Sequence, residues 1–334
     1  MDRSEILYLL GRIRNHLYLN ANNQRNLGYK SGLMGTAMLL FHYSRYFKNK
    51  SDYNLAVELM EVVFQVGTNN MSAPDLMEIS SSITHIAREE FIKIDLNNLL
   101  QESDQILIGT IEQSNDLFYL AETGSYMVNR LKDGCHFENS LSAILNKLLD
   151  HAEKLSISKP ECLIFTERQL TIKILSIFYK IPENFKLNSQ HNKIIADLWF
   201  QLKTSLKDRI CIDEKLPISI SEMITFCFAG LNSKQTFWIS EALNMMGYLV
   251  SQLDIFSDVE RIRFHHLVKL FEIEIPEIFE MKLIEKGINT DFYDKFITSN
   301  LHNLSLSDGL CLAGITLLDK VDQANSDTLS FYII

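Results

Sequence analysis

Gly32-Leu33-Met34-Gly35-Thr36-Ala37-Met38-Leu39-Leu40-Phe41-His42-Tyr43 decides how this chain is read. The segment is apolar on nearly every side, which marks a helix buried on all its faces. Asp75-Leu76-Met77-Glu78-Ile79-Ser80-Ser81-Ser82-Ile83-Thr84-His85 has the same Leu-Met after its first residue and the same histidine at the eleventh position. Further copies start at Asp116 (Asp116-Leu117-Phe118-Tyr119-Leu120-Ala121-Glu122), near Cys162, near Pro217 and at Asp308. Counted from their second residues, the units begin at Leu33, Leu76, Leu117, Leu163, Ile218 and Leu310. The steps are about 43, 41, 46, 55 and 92 residues, the spacing of helical-hairpin repeats. The last step is about two periods, which places a hidden unit between Gly230 and Asp308, around Ile262 to Phe271. The chain therefore reads as about seven repeats.

Between the buried helices the pattern changes. Tyr53–Val66, Leu96–Glu112, Ser140–Leu155, His191–Leu206 and Phe237–Leu253 repeat apolar residues at helical spacing on one face only, as in Leu55, Leu59, Val62 and Val63. Alternation of fully and half-buried helices implies two layers. No single repeat buries its apolar face alone, so neighbours must stack, either as an open array or as a closed ring. The first and last units are the most glycine-rich and apolar, where an open array needs polar caps, and this favours closure. The expected fold class is all-α, an α/α toroid forming one domain over residues 1–334. Lys132–Asn139 and Lys180–Asn192 read as polar connections, and Glu272–Thr298 as the least regular stretch.

Composition agrees. Of 334 residues 46% are hydrophobic and 22% charged, with 13 Gly and only 5 Pro, which favours long helices over a turn-rich β-sandwich. The formal net charge of -10 is scattered along the chain, which repels phosphate backbones and argues against nucleic acid as a partner. The apolar run Ile6–Leu10 is too short for a signal segment, and no stretch approaches a membrane span. Five cysteines without a CxxC pair suit reduced thiols in a cytoplasmic protein. The apolar tail Phe331-Tyr332-Ile333-Ile334 could dock on its own ring or on another chain.

Gly32-Leu33-Met34-Gly35, the apolar helix it opens and the helix from Asn49 to Val66 resemble the opening repeat of the lanthionine synthetase C-like proteins. Gly309-Leu310-Cys311-Leu312-Ala313-Gly314-Ile315 resembles that family's closing glycine-rich repeat. The repeat spacing carries the likeness along the whole chain, while the motifs are specific at its two ends. The resemblance implies a double ring of seven helical hairpins. Its catalytic members add a cysteine thiol to a dehydrated serine or threonine, and zinc held by two Cys and one His activates that thiol. The family's Trp-Cys-Tyr-Gly-like loop and late Cys-His-Gly motif are both missing here. The one Cys-His pair, Cys135-His136, lies in the first half and precedes Phe137. Cys227 and Cys311 are weak candidate ligands that read better as small core residues. Neither zinc nor another cofactor is expected.

Two functional expectations follow. The first is a zinc-less, non-catalytic accessory module related to peptide modification, holding a peptide or protein at a mouth that includes Gly32, Gly35, Asp75, Asp116 and Gly309. The second is a hydrolase of the α/α-toroid type acting on a carbohydrate or peptide. It would use paired carboxylates drawn from Asp75, Glu78, Asp116, Glu122, Glu222 and Asp308. Against it, acidic residues at helix starts also serve as caps. His42 and His85 share a register in neighbouring helices and are placed to face each other. His265 and His266 point about 100° apart along a helix and are not expected to share a ligand.

Overall fold

Few glycines and prolines interrupt the chain, and helices make up most of the described residues. A computed structural model describes residues 1–157, 165–181, 189–211, 219–233, 235–271 and 287–321. Among the described residues the regular elements are all helical, and no strand occurs. The expected starts Leu163 and Ile218, with Cys162 and Pro217, lie outside the described residues, as does the tail Phe331–Ile334.

The helices alternate as the sequence pattern predicts. The apolar ones are α2 (Leu33–Phe47), α4 (Ala73–Arg88), α6 (Leu117–Leu131), α8 (Phe165–Lys180), α10 (Ile220–Asn232), α12 (Asp258–Leu270) and α14 (Leu310–Val321). In α2, α10 and α14 buried residues run without a gap, from Leu33 to Tyr43, Glu222 to Leu231 and Leu310 to Leu318. The wetter helices are α1 (Arg3–Asn20), α3 (Lys50–Gln65), α5 (Leu96–Gln113), α7 (Glu138–Ile157), α9 (Ser189–Cys211), α11 (Thr236–Ser251) and α13 (Thr290–Ser299). A helix, α12, stands where the hidden repeat was expected. The stretch expected to be least regular lies outside the described residues over 272–286, and its end is helical. Asn289 accepts the Phe292 N–H as a cap, and Tyr293, Phe296 and Ile297 bury one face of α13.

Contacts group the chain into two compact units. One joins Met1–Ser103 with Met246–Ile334, and the other is Asp104–Met245. In the first, the buried helices α12, α14, α2 and α4 pack in that order, so the last repeat is followed in space by the first. Helix α1 lies on α14 and α13, and α3 lies on α2. The first helix of the chain is thus fastened to the last two described helices. Arg12 pairs with Asp294 and donates to Thr298 at 3.1 Å, and the Tyr43 hydroxyl donates to the Leu10 carbonyl at 3.0 Å. Gly314 makes this closeness possible, because a Cβ there would sit 2.8 Å from Leu39 and 3.5 Å from Ile13.

In the second unit α6, α8 and α10 pack in order, with α7 against α6 and α9 against α7 and α8. Several of its buried polar groups are paired. Arg168 grips Glu222 in a two-point ion pair at 2.9 and 3.2 Å, both side chains almost wholly buried. Asp104 accepts from the Tyr126 hydroxyl at 2.5 Å and from Arg130 at 3.1 Å, and Arg130 also reaches Asp133 at 3.0 Å. Lys147 caps the end of α5 by donating to the carbonyls of Ile111 and Ser114 at 2.9 and 3.0 Å, as a cation at a helix C-terminus should.

Candidate functional site

The two glycine-rich ends expected at the mouth come together in the first unit. Two loops do this, and they share a motif: Asn26-Leu27 followed by Gly32-Leu33, and Asn303-Leu304 followed by Gly309-Leu310. Each folds back over the start of its own helix. The Leu33 N–H donates to the Asn26 carbonyl at 3.0 Å, and the Leu310 N–H donates to the Asn303 carbonyl at 2.8 Å. Each asparagine side chain reaches the residue five positions on, Asn26 to Ser31 at 3.1 Å and Asn303 to Asp308 at 3.4 Å. The same glycine stands at the same tight place. A Cβ on Gly32 would lie 2.7 Å from the Gly28 carbonyl oxygen, and one on Gly309 would lie 2.7 Å from the Ser305 nitrogen.

Lys30 joins the loops. Its carbonyl accepts from the Leu306 N–H at 2.9 Å, the Ser307 N–H at 3.1 Å and the Ser305 hydroxyl at 2.7 Å. Its N–H donates to Glu78 Oε2 at 3.2 Å, and its ammonium lies 3.6 Å from Glu78 Oε1. Glu78, on α4, therefore holds the first loop, and the first loop holds the second.

Beside this junction is a cavity of about 370 Å³, lined by Asn20, Asn23, Gln24, Ser31, His302, Asn303, Leu304, Ser305 and Asp308. That size is near the lower end for small-molecule sites. The lining is mostly side-chain amide and hydroxyl, with one carboxylate and no Lys or Arg. Behind Gln24 the buried Thr36 hydroxyl donates to Gln24 Oε1 at 2.8 Å and lies 3.7 Å from Cys311 Sγ. Sequence reading placed Asp308 here, with Gly32, Gly35 and Gly309 beside it, but passed over the asparagines and Gln24. The repeated Asn-Leu six residues before Gly-Leu was the available signal.

The other expected site residues have local partners. Asp116 caps α6, accepting from the Phe118 and Tyr119 N–H groups at 2.9 and 3.2 Å. Asp75 accepts from the Ser72 hydroxyl at 2.6 Å at the start of α4. Glu122 pairs with Lys173 at 2.9 Å. Glu222 forms a capping box with Ser219 besides its pair with Arg168. Asp75, Glu78 and Asp308 belong to the first unit, and Asp116, Glu122 and Glu222 to the second.

Cys227 and Cys311, the two weak candidate ligands, are both buried. Cys227 donates to the Ala242 carbonyl at 3.5 Å, and burial pushes its thiol well up. Burial also pushes Cys311 up to about 12, against the opposing pull of the Thr36 hydrogen bond. Among the described residues no three His, Cys, Asp or Glu side chains group as metal ligands would. Cys135 and His136 sit in a surface loop, where His136 faces Glu138 at 3.8 Å.

His42 and His85 meet, with Nε2 atoms 3.0 Å apart. Burial, with Arg45 adding to it, holds His42 down to about 3, and burial holds His85 well below its ordinary value. Both rings are neutral, one donating and one accepting, and both pack on Phe91. His265 donates to or accepts from Tyr293 at 2.8 Å, while His266 faces Asp319 at 3.1 Å, so the adjacent histidines serve different partners.

Compared with known proteins, the chain matches no family model and no curated protein. Among the described residues no helix is long and apolar enough to cross a membrane.

Proposed function

We propose that this chain is a lanthionine synthetase C-like α/α toroid without the zinc site. On this reading it is a cytoplasmic accessory module related to peptide modification, and it holds a peptide or protein partner without catalysing a reaction. The observation that carries the reading is the junction at Lys30. There the first and last repeats, which the resemblance pairs as the family's two end motifs, are bonded backbone to backbone beside a polar cavity. A ring is the arrangement in which those two repeats are neighbours.

Metal analysis of the purified protein tests the zinc-less part directly. The expected zinc content is far below one ion per chain, and it is unchanged by Cys227→Ala or Cys311→Ala. One zinc per chain that either substitution removes would overturn the reading. Small-angle scattering tests the ring, because a closed toroid is more compact than an open stack of the same repeats.

A further inference from the structure

The packing of the buried helices does not by itself call for the histidine pair. His42 and His85 stand at the eleventh position of their repeats, where the third repeat has Tyr126 and the last has Leu318. Those two side chains are buried as the histidines are, so the same layer is filled elsewhere without imidazole. The two rings meet tip to tip. Their centres lie 5.3 Å apart and their Nε2 atoms 3.0 Å apart, which puts both nitrogens close to the line joining the centres. The lone pair of an imidazole nitrogen points straight out from the ring, so the two nitrogens aim at each other. Phe91 packs on both rings, edge-on to His42 at 4.9 Å, and Arg45 covers Phe91 at 3.8 Å.

From this geometry we infer that His42 and His85 form a two-coordinate site for a soft monovalent metal ion, Cu(I) above all, held between their Nε2 atoms. Such an ion takes two donors in a straight line, and imidazole is a good copper ligand. Zinc asks for four ligands, and among the described residues no third His, Cys, Asp or Glu groups with this pair. Charge selects in the same direction. Arg45 is balanced by Glu89 at 2.7 Å, yet Arg45 and Arg88 still disfavour positive charge at His85, and a divalent ion brings twice as much of it. Protons do not compete, because burial holds both imidazoles neutral, and a metal binds the neutral ring. On binding, the ion forms bonds to both Nε2 atoms. The proton of the donating ring moves from its Nε2 to its Nδ1, so none is released. A metal-to-imidazole distance of about 2.0 Å sets the nitrogens about 4 Å apart, so the rings part by about 1 Å along the axis they already share. Neither histidine lines the cavity, and the inference does not depend on the peptide-binding reading.

The test uses the full chain with ¹⁵N-labelled histidine and two probes, Ag(I) as its nitrate and Cu(I) added without oxygen. With Ag(I), the Nε2 signals of His42 and His85 should each split, because the silver nucleus couples to a nitrogen bonded to it. Silver held by a thiol leaves those signals single. With Cu(I) at about a hundredfold excess over its dissociation constant, the melting temperature should rise by roughly 5 °C. His42→Asn and His85→Asn should each abolish that rise, and Zn(II) should leave the parent chain's melting temperature unchanged. If either variant folds poorly, the silver splitting in the parent chain decides. Unsplit Nε2 signals at saturating silver overturn the inference, as does a copper-induced rise that both variants retain. A larger rise with Zn(II), lost in both variants, overturns it as well.

Discussion

At the starts of α2 and α14 the free helix N–H groups go to backbone carbonyls: Leu33 to Asn26, Met34 to Leu27 and Leu310 to Asn303. At the starts of α4, α6, α10 and α12 they go to side chains: Ser72, Asp116, Ser219 and Ser257. Both arrangements satisfy donors that a helix leaves open, but they leave different things behind. The backbone arrangement folds a loop over the helix end, which demands glycine where the chain crosses itself. It leaves side chains such as Gln24 free to line a cavity. The side-chain arrangement spends the polar group on the helix itself. Carboxylates at the middle repeats are therefore committed to structure, and the free polar chemistry collects where the glycines are.

The largest expected effect breaks the side-chain arrangement at its deepest point. Glu222 serves both as the cap partner of Ser219 and as the mate of Arg168, with neither side chain more than 3% exposed. Arg168→Ala should cost about 3–5 kcal/mol in urea unfolding, because it strands a buried carboxylate. Replacing both residues by methionine should recover most of that loss, since no charge is then left unpaired. A cost for Arg168→Ala alone below about 1 kcal/mol would mean that the cap suffices to hold Glu222.

Breaking the backbone arrangement comes next. Gly32→Ala pushes a methyl group onto the carbonyls of Asn26 and Gly28, groups that cannot swing aside, and should cost about 3 kcal/mol. Gly309→Ala should cost a similar amount, because the two loops repeat one geometry. The control is Gly109→Ala in α5, where a new Cβ meets nothing within 4 Å. There the exchange should stabilise by about 0.5–1 kcal/mol. Equal effects at all three glycines would remove the distinction between ends and middle.

These contrasts also show what was readable beforehand. The helices were legible because burial repeats with the helix period, and α3, α5 and α7 follow the predicted stretches within a few residues at each end. The buried register was legible too, since His42 and His85 hold the same place in adjacent repeats, and the two rings meet. The role of the acidic residues was legible only as two alternatives, because an Asp before an apolar run looks the same whether it caps or reacts. The cavity was not legible as a cavity. Asn20 and Gln24 flank a loop whose path depends on Glu78, 48 positions after Lys30, and on Ser305, 275 positions after it. Only the doubled Asn-Leu…Gly-Leu pattern pointed there, at a separation beyond any local repeat.

The histidine pair joins an end-type repeat, α2, to a middle-type one, α4, and should make that seam sensitive to acid. Both rings are neutral in the folded chain, with His42 held to about 3 against an ordinary 6.5. Below pH 6.5 the unfolded chain takes up protons that the folded one refuses. Stability is therefore fully present above that pH and falls as pH drops toward 3, by about 1.4 kcal/mol per pH unit for each histidine. Arg45 and Arg88 also oppose protonation of His85. Unfolding midpoints measured from pH 7 to 5 should show this slope, and His42→Asn with His85→Asn should flatten it. A slope unchanged in the double variant would place the acid-sensitive groups elsewhere.

The smallest effect separates the two arrangements most cleanly. Asp116 and Asn26 are both short polar residues at the entry to a buried helix, and from sequence either could be the cap. In Asp116 the side chain does the capping, so Asp116→Ala should cost about 1 kcal/mol. In Asn26 the carbonyl does it, and alanine has a carbonyl too. Asn26→Ala loses only the exposed bond to Ser31, and should stay within about 0.5 kcal/mol of the parent chain. Glycine reverses the logic at the neighbouring position, where Gly32 has no side chain to lose and yet cannot gain one. A cost at Asn26 as large as that at Asp116 would show that its side chain, rather than the path of the backbone, holds the loop over α2.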